Sequence, residues 1–411
     1  MITWREGFVV SRKAAWSGAI EVRVRLGPWS DGEKPTAAQA AAIAAAYATI
    51  DKQFGNGKPR PPEVLPDGTE VRALAYPELV GNPQVDDRVL LNVSALARGL
   101  GTGGYGLVVA LPDALPRDPQ PGPGHLVKAR YTPLQALVLG VDEQESAHHA
   151  TLRDADDLAG LPVVVADLHS ALPAVIAGAR HAAALAGRPA PKVAYVMTDG
   201  GALPAWFSRN VSALRDAGWI TSCLTAGQAF GGDLEAVTVH TALLAARLVV
   251  GADLVVVAQG PGNLGTGTKW GFSGVAAGEA VNAAGTLGGR PVAALRVSGA
   301  DARERHLGIS HHSLTAYGRV ALAPADVVVP SFDGDLADLG ARVQLQALAL
   351  GAPDGRHRLV PVDAGADLLG ALADTPVKLS TMGRGLDADP AAFLAAAAAG
   401  AHAVGLLAGD S

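Results

Sequence analysis

Residues 161–166, 192–197, 219–224, 254–258, 291–297 and 326–329 form short apolar runs, with helix-compatible stretches such as 172–186 and 234–250 between them. Leu254-Val255-Val256-Val257-Ala258 has no polar alternation at all. A strand of that composition has to be covered on both faces, and strands alternating with helices make right-handed crossovers and a mainly parallel sheet. Close helix-on-sheet packing favours small side chains. The chain supplies them: 49% of its 411 residues are apolar, yet only 5% are aromatic.

The first part of the chain has another period. Ile20, Val22, Val24 and Leu26 alternate with charged residues, the pattern of a half-buried antiparallel strand. Residues 71–76, 88–92 and 106–111 read as further strands, and a small barrel or sandwich is the simplest closure. An alanine-rich helix is expected as an insertion over 37–54, followed by a Pro/Gly-rich loop over 55–68. Residues 115–124 make the clearest linker. The predicted fold class is α/β: a smaller β-rich, barrel-like domain over 1–122, then a three-layer, Rossmann-like αβα domain with a mainly parallel sheet over 123–411.

A net charge of −6 offers no basic footprint for nucleic acid. The single cysteine, Cys223, rules out an intrachain disulfide framework and fits a reducing compartment. Residues 1–6 contain no apolar signal core. Residues 391–409, mostly alanine with His402 inside, suit a docked helix better than a membrane span. These features point to a cytoplasmic protein without nucleic-acid or membrane partners, and a homo-oligomer stays open.

In open parallel sheets, ligands bind beyond the carboxyl ends of the strands. Here the conspicuous polar groups follow strands: Asp167 and His169 the first, Asp199 the second, the segment 225–233 with Asp233 the third. Gly260-Pro261-Gly262-Asn263-Leu264-Gly265-Thr266-Gly267-Thr268-Lys269 follows the fourth and leads to a helix expected over 273–284. Bare backbone N–H groups before a helix suit a phosphate or carboxylate. The same glycines also fit a dinucleotide pattern, although the acidic residue expected after the next strand is missing and Arg296 stands near its place. A structural tight turn is the third reading. A P-loop is excluded, because Lys269 comes one residue late after Gly267.

After the fifth strand, Arg303, Arg305, His306, His311 and His312 put five potential cations into one loop. They repel one another unless an anion or carboxylate neutralises them, and histidine also serves as general acid or base. A metal reading takes His306, His311 and His312 as ligands with Asp301 or Asp167, although adjacent histidines tend to diverge. His125, Lys128 and Arg130 form a second basic group, with Lys128 and Arg130 on one face if 126–131 is a strand. Asp233 and Glu235 are placed to open a helix, where carboxylates are favoured.

The blocks Gly124–Gln135, Ala229–Glu235, Gly260–Thr268, Arg303–His312 and Ser380–Gly385 resemble a bacterial family catalogued only as a domain of unknown function, serial 3866, over residues 92 to the C-terminus. The family looks to have Asn-Thr-Thr-Ala where this chain has Asn92-Val93-Ser94-Ala95, and Ser-Phe-Ala-Asp where it has Ser298-Gly299-Ala300-Asp301. Loss of that aromatic implies more room beside the histidine loop. The resemblance carries no activity.

The residues support an enzyme that acts on a phosphorylated or carboxylated small molecule by hydrolysis or group transfer. Gly262, Gly265, Thr266, Gly267 and Thr268 would hold the anion, and Arg303 and Arg305 would clamp it. His306 or His311 would move protons, with Asp199 or Asp301 orienting a base or a metal-bound water. His312, Asp233 and His169 are further ligand contacts. A divalent metal is open as cofactor, and NAD(P) is the weaker candidate. The alternatives are a non-catalytic small-molecule-binding or scaffold protein and an NAD(P)-dependent oxidoreductase.

Overall fold

The computed structural model describes residues 2–27, 41, 65–100, 103–351 and 355–407. The chain divides into two compact units, Met1–Gln120 and Pro121–Ser411. The helix expected over 37–54 lies outside the described residues except at Ala41.

The first unit is a closed barrel of β1 (Trp4–Trp16), β2 (Ala19–Leu26), β3 (Glu70–Ala75), β4 (Arg88–Asn92) and β5 (Gly106–Ala110), joined in the order β1-β2-β3-β5-β4 with β4 against β1. Only the β3–β5 pair is parallel. In β2, Val22, Val24 and Leu26 are buried and Arg25 is exposed, as the alternation requires.

The second unit holds eight parallel strands: β6 (Pro162–Val165), β7 (Val193–Thr198), β8 (Ser222–Thr225), β9 (Leu234–Glu235), β10 (Leu254–Gln259), β11 (Arg290–Ala294), β12 (Asp326–Ser331) and β13 (Arg358–Asp363). Their order is β9-β8-β7-β10-β6-β11-β12-β13. Among the helices are α1 (Leu172–Leu185), α2 (Val239–Leu248), α3 (Ala276–Thr286), α4 (His311–Thr315) and α5 (Pro390–Gly405). Alternate strand residues feed two separate cores. Val163, Val165, Val255 and Val257 pack with α2 and α3, whereas Val164, Leu254, Val256 and Val292 pack with α1 and α5. Neither face of β10 meets water, which is why its sequence shows no polar alternation.

The chain runs from β6 past β10 to β7 and outward to β9, whereas β10 and β11 send it the other way, toward β13. This reversal opens a crevice at the carboxyl ends of β10, β6 and β11. Helix α5 lies against α1 so closely that a Cβ on Gly178 would fall 1.9 Å from the Ala397 carbonyl oxygen, and one on Gly400 1.9 Å from that of Val175. Among the described residues no helix is long and apolar enough to cross a membrane.

Two local expectations are corrected. Leu234 and Glu235 do not open a helix: they form β9, parallel to β8, and α2 starts at Val239, where Thr238 Oγ1 accepts from the Thr241 N–H (3.2 Å). The two carboxylates have local partners instead. Asp233 accepts from the Cys223 N–H (2.8 Å) and pairs with Arg215. Glu235 accepts from Thr225 Oγ1 (2.6 Å) and the Gly231 N–H (2.7 Å), and pairs with Lys128 at 2.9 Å. The strand expected over 126–131 stops at Lys128, because Ala129 (φ 48°) and Tyr131 (φ 62°) turn the backbone away. Lys128 is therefore buried and Arg130 is not, and the two share no common face.

Candidate functional site

Three adjacent strand ends supply the site. After β11, Val297–Ser298 pairs antiparallel with Gly308–Ile309, and this hairpin throws out residues 299–307 before returning the chain to Ser310. Ser310 Oγ accepts from the His312 N–H (3.2 Å) and caps α4. Beyond α4, the π-helical turn Ala316–Val320 carries the fully buried Tyr317. Its hydroxyl lies 2.8 Å from the Val165 carbonyl and 3.2 Å from that of Ala294, which ties the histidine helix to the ends of β6 and β11.

His306, His311 and His312 converge there. Their ring centroids are 4.4 to 5.0 Å apart, and one nitrogen from each lies within 4.8 Å of the others. The expected divergence of the adjacent pair does not occur, because Phe272, from the loop after β10, contacts both. It stacks on His312 (3.8 Å, 1°) and meets His311 edge-on (5.8 Å, 70°). His306 Nδ1 lies 2.8 Å from Ser310 Oγ, and His312 Nδ1 lies 3.1 Å from Arg296 Nη1. His311 Nε2 is buried without a partner among the described residues. Burial, with Arg296 and Arg303 nearby, pushes His306 down to about 3. Burial, with His312 and Arg305 nearby, pushes His311 down to about 4. Both shifts favour the neutral ring, the form that ligates a metal.

Asp167, just past β6, joins this group. It is 3% exposed, and its Oδ2, which has no hydrogen bond among the described residues, lies 3.7 Å from His312 Nδ1 and 3.8 Å from Arg296 Nη1. Arg305 is exposed, and its Nη2 would stand 3.8 Å from a Cβ on Gly267, so the arginine and glycine loops meet. Within the glycine loop the Thr266 N–H donates to the Gly271 carbonyl (2.7 Å), and the Thr266 and Thr268 hydroxyls bond each other (3.1 Å). The N–H groups of Gly265, Gly267 and Thr268 keep no partner among the described residues. Gly262 has φ 100°, a conformation that favours glycine. The chain becomes helical only at Ser273, and α3 begins at Ala276, so these glycines do not open directly into a helix as a dinucleotide loop does.

Several expected site residues are placed otherwise. Asp301 cannot orient a base: its Oδ1 accepts from the Arg303 N–H (3.0 Å) and Nε (2.9 Å), and its Oδ2 from Arg303 Nη2 (2.9 Å) and Arg384 Nη2 (3.3 Å). The Arg303 guanidinium holds that carboxyl well below the usual carboxylate range. Arg303 is thereby neutralised, whereas the exposed Arg305 has no ion pair among the described residues. Asp199 accepts from the Gln228 N–H (2.8 Å), and β10 and β6 separate its strand from β11. Asp233 serves the edge of β8, as described. Gly299, the position expected to leave extra room beside the histidine loop, is exposed, and a Cβ there would lie 3.1 Å from Leu339 Cδ2.

His169 is a core residue, with Nδ1 2.9 Å from the Tyr195 hydroxyl and Nε2 2.7 Å from Ser208 Oγ. Burial pushes it down to about 4 from 6.5. Below pH 6.5 the unfolded chain takes up a proton that the folded chain refuses until about pH 4. Stability is therefore expected to fall across that window as pH drops, by roughly 3 kcal/mol from this residue. Urea unfolding at pH 7.5 and 4.5 measures the loss, and His169→Gln, which cannot titrate, should show a smaller one.

The sequence reading gives no site role to Phe272, Tyr317, Arg384 or Asp389. A small cleft beside Asp167 is lined by Ser170, Arg296, Ser298, Arg384 and Asp389. Asp389, 1% exposed, accepts from Ser298 Oγ (2.6 Å), the Gly299 N–H (2.9 Å) and Arg384 Nε (3.0 Å). The Ser380–Gly385 block is the available signal for Arg384, but nothing in its spacing pairs it with Asp301 and Asp389.

Fold and geometry together define a parallel α/β protein with an imidazole and guanidinium cluster at the carboxyl ends of its central strands. The family model described as Protein of unknown function (DUF3866) matches residues 72–400, and the chain belongs to that family. No curated protein and no solved structure matches it.

Proposed function

We propose that the protein is a cytoplasmic enzyme that binds a phosphorylated or carboxylated small molecule over the ends of β10, β6 and β11 and carries out hydrolysis or group transfer on it. The observation that carries this reading is the buried, unpartnered His311 Nε2 within a cluster of three imidazoles at the strand-end crevice. Arg305 and the free N–H groups of Gly265, Gly267 and Thr268 receive the anion. His311 and His306 are the imidazoles that serve the reaction, as proton carriers or by holding a metal-bound water, and Asp167 takes the orienting role expected of Asp199 and Asp301. The buried free thiol of Cys223 supports a reducing compartment.

Thermal unfolding against phosphorylated and carboxylated metabolites is the test. A ligand at about 100 times its Kd adds roughly 2.7 kcal/mol of stability. Arg305→Ala is expected to weaken the hit about tenfold or more, because a charge-assisted hydrogen bond contributes roughly 1.5–3 kcal/mol. His311→Ala should lower turnover of that compound by about 100-fold or more. Unchanged turnover in His311→Ala removes this imidazole from the reaction and overturns the assignment of the cluster as its centre. Binding without turnover in the wild-type chain identifies a non-catalytic binding protein.

A further inference from the structure

We propose that His306, His311 and His312 hold a divalent transition-metal ion of the zinc type. This rests on the reading above that the strand-end crevice is the functional centre, and it specifies how the imidazoles act. One nitrogen from each ring lies within 4.8 Å of the others, on a hairpin and a capped helix that Tyr317 anchors to the sheet. A zinc site with Zn–N distances of about 2.1 Å needs the rings to close in only modestly. The rings keep a nitrogen for it: His306 and His312 use Nδ1 for Ser310 and Arg296, and His311 Nε2 is buried with no partner among the described residues. Buried polar atoms are rarely left unpaired, and a bound ion is one standard resolution.

A second unpartnered atom points the same way. Asp167 Oδ2 is buried, has no hydrogen bond among the described residues and lies 3.7 Å from His312 Nδ1. A metal on His312 Nε2 puts the ring proton on Nδ1, and Asp167 is then its acceptor, the carboxylate–histidine–metal arrangement that orients ligating imidazoles. Arg296 would give up its contact with Nδ1 and keep its place beside Asp167. Three imidazole ligands leave one coordination position open, the pattern of catalytic zinc sites. Asp301 does not join the set, since its oxygens are taken by Arg303 and Arg384. Positive charge from Arg296 and Arg305 beside a dication is balanced by Asp167 and by the anionic ligand of the proposed function.

The full chain, stripped with a chelator, is titrated with cobalt(II) by visible absorption and with zinc by competition against a chromophoric chelator. One equivalent per chain is expected. His306→Ala and His311→Ala should each weaken binding by about 100-fold or more, and Asp167→Asn by about 10- to 100-fold. Far-UV circular dichroism checks that each variant folds, and His311→Gln stands in where alanine does not. No stoichiometric uptake, or uptake unchanged in the histidine variants, overturns the proposal. Inorganic phosphate binding is measured separately, on the metal-free and on the metal-loaded chain. Phosphate binding without metal uptake overturns this site and leaves the proposed function; metal uptake without any anion binding supports the site and removes that function.

Discussion

Gly178→Ala and Gly400→Ala are each expected to destabilise the second unit by about 3 kcal/mol or more, at the upper end of what overpacking costs. The added methyl group would stand 1.9 Å from a backbone carbonyl oxygen of the opposite helix, and no rotamer change relieves a backbone clash. Helices α1 and α5 would have to separate along their length. The consequence reaches the site, because Ala392, Phe393 and Ala396 of α5 line the cleft beside Asp167 and Arg296. Gly370, inside the helix Ala366–Ala373 with nothing within 4 Å of its Cβ position, is the control. Gly370→Ala should stabilise by roughly 0.5–1 kcal/mol through helix propensity alone. Thermal and urea unfolding of the three variants decide the matter, and a Gly400→Ala chain as stable as wild type would rule out so close a crossing.

Glu235→Ala is expected to cost about 3–5 kcal/mol, because it strands a buried ammonium. Lys128 is 2% exposed, and its Nζ donates to the carbonyl oxygens of Thr225 (3.1 Å), Ala229 (2.8 Å) and Ala236 (2.9 Å) besides pairing with Glu235. Burial lowers its pKa, and Glu235 opposes that shift. Lys128→Met leaves the carboxylate stranded instead. The double variant Lys128→Met/Glu235→Leu should cost clearly less than the two singles together, since no unpaired charge remains. A double-mutant cycle from urea midpoints tests this, and additive losses would show that the pair does not act as a unit. The pair fastens the segment 126–138 to the edge of the parallel sheet, so this basic residue is structural and not a ligand contact.

The period of the apolar residues made much of the architecture legible. Runs such as 254–258 can only be strands with both faces covered, and the alternation from Ile20 to Leu26 only a strand with one. Strand β13 and the helix Ala337–Gly351 were not legible in this way. Residues of β13 are exposed or half-buried, as suits an edge strand, and Pro361 within the short run Leu359–Val362 removes a ladder donor and weakens the strand signal. Long strand β1 escapes notice for a similar reason: its far half, from Ser11 on, is mostly exposed, and pairing with β2 and β4 defines it.

The sequence by itself determined which residue types reach the carboxyl rim, because a parallel sheet sends every loop after a strand to the same edge. Tertiary structure decided which of them meet. Strand order put the ends of β10, β6 and β11 side by side and moved Asp199 away. Arg384, far along the chain, came back to share Asp301 with Arg303, while Phe272 and Tyr317 gathered the histidines. Local sequence encodes the hydrophobic period of each element, but the pairing of charges and rings across loops depends on distances that exist only once the sheet has formed.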